Sequence, residues 1–453
     1  MAAAASGFRA FLILWCGQCV SLTGSALSGF ALGVYIYQVT GSATTFGFVL
    51  AVGGLPFLLA SPFTGSLVDR WGAKPALLLG NGGALLVMVA LAMLLFMHAA
   101  SPWRVSIIVA SLSVLGALNM PAFEASVPLL VPKRDIGRAN GMRLLALATS
   151  QVLAPMTAGL LLLAIGIYGI VLMDCLTCGL GIVTLLCVRI PRARREDELT
   201  SVSVWALLTD FRLAWQYVAE RRGLLALLGF IAALEFCAGV VDLVITPLIL
   251  AFASSGVLGI VLSFGGTGMI ATSLMLTAWG GPRRRVRGLL GFSLVLAVAV
   301  ILGSLRPNIP LMAVAAFLFL GSLAIVISSN RSLWQTKVEP YLLGRAMALQ
   351  NIVAAVPQLL AYALAGVLAD RLFLPLVGRD HVRSPVVAVL IGDGPNRGYA
   401  LLLMVMGLLL AVSVVLAYLY PRLRHLEDEL PDVTTEDATP DEGTVADPAD
   451  ARL

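Results

Sequence analysis

The sequence predicts an all-α polytopic membrane protein of twelve transmembrane helices, arranged as two six-helix bundles related by pseudo-twofold symmetry. Three observations carry that prediction. Of the 453 residues only 12% are charged and 59% are hydrophobic, whereas a soluble domain carries roughly 25% charged residues. Twelve apolar stretches approach or exceed the ~20 residues of helix needed to cross ~30 Å of hydrocarbon. The chain also repeats itself: sliding it by 207 residues lays Val131 to Leu161 over Val338 to Leu368 with 11 of 31 positions identical, among them Gly137/Gly344, Arg138/Arg345, Gln151/Gln358 and Gly159/Gly366. Parallel halves of this kind place a substrate site between them near mid-membrane.

In chain order the spans fall at 9–37, 44–69, 75–97, 103–126, 139–163, 166–189, 223–252, 255–279, 287–305, 309–332, 345–370 and 398–420. The first run is too long for a signal-peptide core and lacks a clear small-residue cleavage site, so it reads as a retained span. An even number of spans puts both termini on one face. With that face cytoplasmic, the inner segments collect 24 of the 30 Lys and Arg, and the outer ones hold Arg104, Arg306, Arg371, Arg379, Arg383 and Arg397. The positive-inside rule then predicts both termini in the cytoplasm.

The longest inner connection, 190–222, divides a first bundle (1–189) from a second (223–425). Its stretch VWALLTDFRLAWQYVAERR is amphipathic at helical spacing and is expected to lie along the membrane face. From Glu427 onward the chain holds ten acidic residues and one basic one, with almost nothing apolar to bury. Residues 426–453 are therefore expected to be a disordered cytoplasmic tail. The basic body is not nucleic-acid-like, because its charges sit between apolar spans.

Residues 65–74 read GSLVDRWGAK and join spans 2 and 3. Gly65 lets two helices approach closely, and Asp69 suits the positive N-terminal end of a neighbouring helix. Gly65, Asp69, Arg70, Gly72 and Lys74, at this loop of this topology, resemble the Gly-x-x-x-Asp-Arg-x-Gly-x-Lys/Arg motif of the major facilitator superfamily. The resemblance implies that the neighbour is span 11, which starts near Gly344, so that Asp69 latches the halves together in an outward-facing state. Glu124, at the cytoplasmic end of span 4, is the expected partner of Arg70 or Lys74.

Span 5 reads SQVLAPMTAG, in which Ser150, Ala154, Pro155, Ala158 and Gly159 resemble the antiporter motif of the same superfamily. Small residues there permit tight packing and Pro155 kinks the helix. The segments PLLVPKRDIGRANGM, SLWQTKVEPYLLGRAMALQN, WGGPRRRVRG and IGDGPNRGYALL are similar to the macrolide- and siderophore-exporter branch, particularly bacterial members associated with peptide and polyketide biosynthesis. That resemblance implies a bacterial cytoplasmic (inner) membrane. There are departures. WGGPRRRVRG carries no acid where a second Asp-Arg motif would fall, Ser25 or a neighbour stands where branch members carry an acid in span 1, and span 4 lacks a buried Arg.

A charge at mid-membrane costs roughly 2.5 to 3.5 kcal/mol, so buried acids are candidates for function. Glu235 lies near the middle of span 7 and Asp242 follows seven residues later, nearly two turns on and about 10 Å along the axis. With Gly239 and Thr246 they make a polar stripe. Asp174 in span 6 is the third acid. Proton coupling is expected at Glu235, assisted by Asp242, with Asp174 a further candidate; the competing reading is a carboxyl hydrogen-bonded to a neighbouring helix. Gln18, Ser21, Ser25 and Ser28 form a second stripe, and Asn351, Gln358 and Tyr362 a third, with Gln151 the repeat partner of Gln358. These are expected to line the pocket between the halves.

Cys16 with Cys19, and Cys175 with Cys178, have a spacing that suggests zinc in a soluble chain, but inside apolar spans cysteine serves as a small hydrophobe. No metal or cofactor is expected. His98, His381 and His425 form no cluster, no phosphate loop appears, and no convergent acid, His and Cys constellation marks an enzyme. The expectation is a monomeric, proton-coupled exporter of an amphipathic small molecule such as a drug, macrolide, siderophore or secondary metabolite. It stands against an importer or facilitator on the same fold and against a sensor or scaffold that uses the acidic tail.

Overall fold

The structure is a computed structural model and describes residues 7–191, 204–377 and 396–430. Arg379, Arg383 and His381 of the expected outer loop, most of the acidic tail and part of the linker lie outside the described residues.

Twelve helices are long and apolar enough to cross a membrane. The first six are α1 (Phe8–Thr40), α2 (Ala43–Trp71), α3 (Ala73–Phe96), α4 (Pro102–Leu130), α5 (Ile136–Ala164) and α6 (Gly166–Cys187). After the amphipathic α7 (Val204–Glu220) come α8 (Arg222–Leu250), α9 (Ser255–Trp279), α10 (Arg285–Ser304), α11 (Ile309–Lys337), α12 (Pro340–Leu368, continued by a π-helical turn, Ala369–Phe373) and α13 (Gly398–Leu419). The sequence punctuates them with local chemistry. Ser42 caps α2 by accepting from the Thr45 amide at 3.2 Å, and Asn308 caps α11 by accepting from the Leu311 amide at 3.1 Å, the side chains preferred at that position. Gly41 (φ 62°) closes α1 and Gly280 (φ 81°) closes α9, a left-handed backbone that glycine adopts without steric cost.

The principal pairings of the first half have counterparts in the second. The contacts α1–α6, α1–α5, α2–α4, α3–α4 and α3–α6 recur as α8–α13, α8–α12, α9–α11, α10–α11 and α10–α13. Two seams join the halves and are themselves equivalent: α5 packs on α9, and α12 packs on α2. At both seams a repeat-related glycine removes the side chain that would hold the backbones apart. A Cβ at Gly159 would stand 2.5 Å from the Ser255 carbonyl oxygen, and one at Gly366 would stand 2.4 Å from that of Ala43. Small residues drive such approaches where lipid supplies no hydrophobic force between helices. At the opposite end of these helices the packing stops. A Cβ at Gly65 or at Gly344 would meet nothing within 4 Å, so the halves are drawn together at the Ser42 end and parted at the Asp69 end.

Helix α7 docks on α12 and α8. Ala214 and Val218 are fully buried, Asp210 pairs with Arg345 at 2.8 Å, and the Arg221 guanidinium lies over the Tyr217 ring. Burial pushes the Tyr217 phenol above its ordinary pKa, with the Arg221 charge opposing. The ordered body also runs past the expected start of the tail. Leu426 has no exposed surface, and Glu427 accepts from the Arg285 and Val286 amides at 2.9 and 3.2 Å, capping α10. Lys337, itself buried, donates to the carbonyls of Glu427 and Leu430.

A chain ending at Leu430 should therefore melt like the full protein in detergent. One ending at His425 should lose about 3 kcal/mol, from Leu426 burial and the cap on α10. Equal thermal midpoints for the two truncations would show that residues 426–430 carry no stability.

Candidate functional site

Asp174 and Asp242 line two separate cavities and not one pocket between the halves. One lies within the first half, walled by α1, α2, α3, α4 and α6, with a volume of ≈ 630 Å³. Gln18, Ser21, Ser25 and Ser28 all line it, sharing one face as their spacing predicts but inside the first half and not between the halves as expected, and so does Asp174 of α6. The Ser25 hydroxyl donates to Asp174 Oδ1 at 3.3 Å. A carboxylate thus reaches the neighbourhood of span 1 where the branch acid is missing, supplied from α6.

The second cavity, ≈ 260 Å³, lies mostly inside the second half and is lined by Asp242, Val241 and Ile245 of α8, with Gln151 and Pro155 reaching in from α5. The Tyr362 hydroxyl donates to Asp242 Oδ2 at 2.7 Å, and Gln358 Nε2 donates to that hydroxyl oxygen at 3.1 Å. Two of the three residues expected on span 11 therefore reach the acid. None of the three lines either cavity itself, contrary to expectation, and Asn351 is exposed. Glu235 is half-buried, within electrostatic reach of Tyr362. Between the two acids, a Cβ at Gly239 would stand 2.9 Å from Ala361 Cβ and 3.1 Å from the Gln358 carbonyl. The polar stripe of α8 accordingly faces α12.

In α5, Ser150, Ala154, Ala158 and Gly159 are buried. Pro155 lacks an amide hydrogen, and one residue on the Met156 amide turns outward to Ser263 Oγ of α9 at 3.0 Å. The Pro155 carbonyl would be 2.2 Å from a Cβ at Gly259. The small-residue motif thus forms one wall of a seam between the halves.

The Asp69 loop lies at the parted end. Asp69 and Arg70 are exposed, Gly72 turns at φ 91°, and Lys74 Nζ donates to the Val188 carbonyl at 2.6 Å. Glu124 pairs with Arg143 and not with Arg70 or Lys74. The reason is register: Arg143 belongs to α5 itself, two turns in from its start, and so stands level with Glu124 two turns before the end of α4.

A carboxylate that the sequence reading passed over sits at the closed end. Asp370, at the end of α12, accepts from the Ser42 hydroxyl at 2.8 Å, the Ala43 amide at 3.2 Å, and the Thr44 amide and hydroxyl, both at 2.8 Å. The Tyr399 hydroxyl donates to it at 3.4 Å, and Tyr37 donates to Tyr399 at 3.5 Å. The Asp370 charge therefore caps the N-terminus of α2 across the seam, where the helix dipole favours an anion. The signal was present in the sequence: Gly366-x-x-x-Asp370-Arg371 has the spacing of Gly65-x-x-x-Asp69-Arg70. Because α2 and α12 run antiparallel along the seam, each ends in this pattern at the level where the other starts, in contact at the Asp370 end and parted at the Asp69 end.

Among the described residues no three His, Cys, Asp or Glu side chains gather as metal ligands. Cys178 instead lies against Asp174 and Ser21.

Twelve spans in two repeated halves, seamed at one end, parted at the other and holding carboxylates inside, define a multi-pass membrane transporter and not an enzyme. The chain belongs to the Major Facilitator Superfamily, whose profile matches residues 14–372. It is 25% identical over 372 residues to Macrolide efflux protein A of Streptococcus pyogenes, covering 80% of this chain and 90% of that protein. It is 28% identical over 386 residues to Multidrug resistance protein MdtG of Escherichia fergusonii, covering 81% and 82% respectively. In fold it resembles a bacterial homolog of the human lysosomal transporter Spinster, with TM-score 0.68 at 14% identity over 94% of this chain and 98% of that one. A POT family transporter crystallised with 5-aminolevulinic acid also gives TM-score 0.68, at 11% identity over 92% and 98%.

If the Asp370 cap holds the closed end together, Asp370→Asn should speed maleimide labelling of an Ala43→Cys reporter about tenfold in a background cleared of native cysteines. That corresponds to roughly 1.4 kcal/mol of lost charge-assisted bonding. An unchanged labelling rate would show that the cap does not bear on closure.

Proposed function

We propose that the protein is a proton-coupled exporter of an amphipathic small molecule, working by alternating access. The observation that carries this reading is Asp242. It is an accessible carboxylate of α8, bonded through Tyr362 to α12 and facing a cavity into which α5 of the other half projects. A titratable group placed where the two halves meet can tie its protonation to their relative position. Glu235 sits on the same face nearly two turns away, with no hydrogen-bond partner of its own among the described residues, and supplies a second titratable carboxyl on the same stripe.

The Lys and Arg bias makes the Asp69 end cytoplasmic, with both termini on that side, in a bacterial inner membrane. The halves are then parted toward the cytoplasm, ready to load cargo. In the outward-facing state Asp69 would cap α12 while Asp370 releases α2, and Gly65, Arg70, Gly72 and Lys74 would shape that junction. The Glu124–Arg143 pair would stiffen α4 against α5 beside it. The relatives named for macrolide efflux and multidrug resistance point to export and to a cargo that is apolar over most of its surface.

The test uses inside-out vesicles and radiolabelled erythromycin as probe. Acidifying the lumen should drive accumulation, and an ionophore that collapses the gradient should abolish it. Glu235→Gln should cut the initial rate more than about tenfold and flatten its dependence on lumenal pH. Wild-type rate and pH profile in that variant would remove Glu235 from the mechanism, while gradient-independent equilibration would make the protein a facilitator.

A further inference from the structure

The proton route just described uses α8, α12 and α5, and leaves the larger cavity without a task. That cavity, at ≈ 630 Å³, is in the range that takes a drug-sized ligand. Its floor is apolar, with Leu32, Phe46, Leu50, Met88, Val109 and Met120 among its walls. Against this floor stands a single charge. Among the described residues Asp174 is the one acidic side chain lining it, and no Lys, Arg or His does.

The surroundings of Asp174 do not balance an anion. It is 2% exposed. Its Oδ1 receives the Ser25 and Thr177 hydroxyls at 3.3 and 3.4 Å and the Cys178 thiol at 3.5 Å, and the Ser28 hydroxyl also bears on the carboxyl; all four are neutral groups. A buried charge ordinarily requires an opposite charge or short, strong hydrogen bonds. Among the described residues no cation faces it.

The same cavity collects polar atoms with nothing to bond. Asn81 is 3% exposed, yet its Nδ2 has no partner in the protein. Gln18 Nε2 and Asn119 Oδ1 are likewise buried without partners, and both residues line this cavity. Native structures hold few such groups, and each calls for an explanation such as a missing ligand or water. Here three of them, from α1, α3 and α4, share one space with the unbalanced carboxylate.

We propose that this first-half cavity is the cargo-binding site for an amphipathic organic cation. The charged nitrogen pairs with Asp174, hydroxyl and carbonyl groups of the cargo engage Asn81, Asn119 and Gln18, and the hydrocarbon body lies on the apolar floor. The assignment rests on the exporter reading and divides its work: cargo charge is read at Asp174 in the first half, and protons are exchanged at Glu235 and Asp242 in the second.

Ethidium, a fluorescent amphipathic monovalent cation, serves as the probe. Equilibrium binding to the full chain in lipid nanodiscs at fixed pH should be saturable. Asp174→Asn keeps the side-chain shape and loses the charge, and should weaken binding at least tenfold. Asn81→Leu and the cavity-filling Ala84→Phe should each weaken it severalfold, and they decide the matter if Asp174→Asn fails to fold. The proposal is overturned if the parent chain shows no saturable binding, or if folded variants bind as tightly as the parent. Proton-driven erythromycin uptake read on the same preparations separates the two ideas. Uptake without Asp174-dependent binding removes this site and keeps the exporter, and binding without proton-driven uptake does the reverse.

Discussion

The arrangement of the whole molecule depends on the contact of Asp370 with the first turn of α2. Helix termini leave their first amides without partners, and in a membrane protein those groups must be satisfied from inside. Here α12 does so for α2 across the boundary between the halves, with one carboxylate taking two amides and two hydroxyls. Gly366, a turn earlier on α12, makes that reach possible by letting the two backbones touch. The second seam, between α5 and α9, has the equivalent glycine, Gly159, but no equivalent acid: Leu163 stands at the repeat position of Asp370. Closure is therefore held by packing and neutral hydrogen bonds at one seam and by packing plus charge at the other.

Such a junction can be both firm and reversible. Its energy comes from a few charge-assisted bonds and a short stretch of small-residue packing, while the rest of each half keeps its own internal contacts. The five helix pairings that recur between α1–α6 and α8–α13 are all within halves. Movement at the seams consequently leaves the bundles intact. With Asp69 and Asp370 at opposite ends of one antiparallel helix pair, the same chemistry is available at either end.

The acids divide between the two cavities in a way that follows from helix packing. Asp242 faces α12 because Gly239, between it and Glu235, lets α8 lie close against Gln358 and Ala361. Asp174 faces α1 because Gly24, where a Cβ would stand 2.9 Å from Asp174 Oδ1, admits α6 alongside, and Ser25 beside it donates to the carboxylate. In each case a glycine or serine beside the acid, and not the acid itself, sets the direction in which the charge points.

Much of this was legible in the chain. Length and hydropathy determined twelve spans, because a bilayer imposes nearly the same requirement on every one of them. The repeat of Gly159 in Gly366 gave the equivalence of the two seams, and the spacing of Gln18, Ser21, Ser25 and Ser28 put all four on one face. What the sequence could not decide was which face meets which. Glu124 read as a partner for Arg70 or Lys74 because all three lie near the same membrane face, and only the register of α4 on α5 delivers it to Arg143. Asp370 had the spacing of Asp69 in plain sight, yet a motif acquires meaning only from the helix end it meets, and that neighbour is more than 300 residues away along the chain. Periodicity is local and is fixed by the residues themselves. Partnership between distant helices is settled by packing, and only the folded bundle shows it.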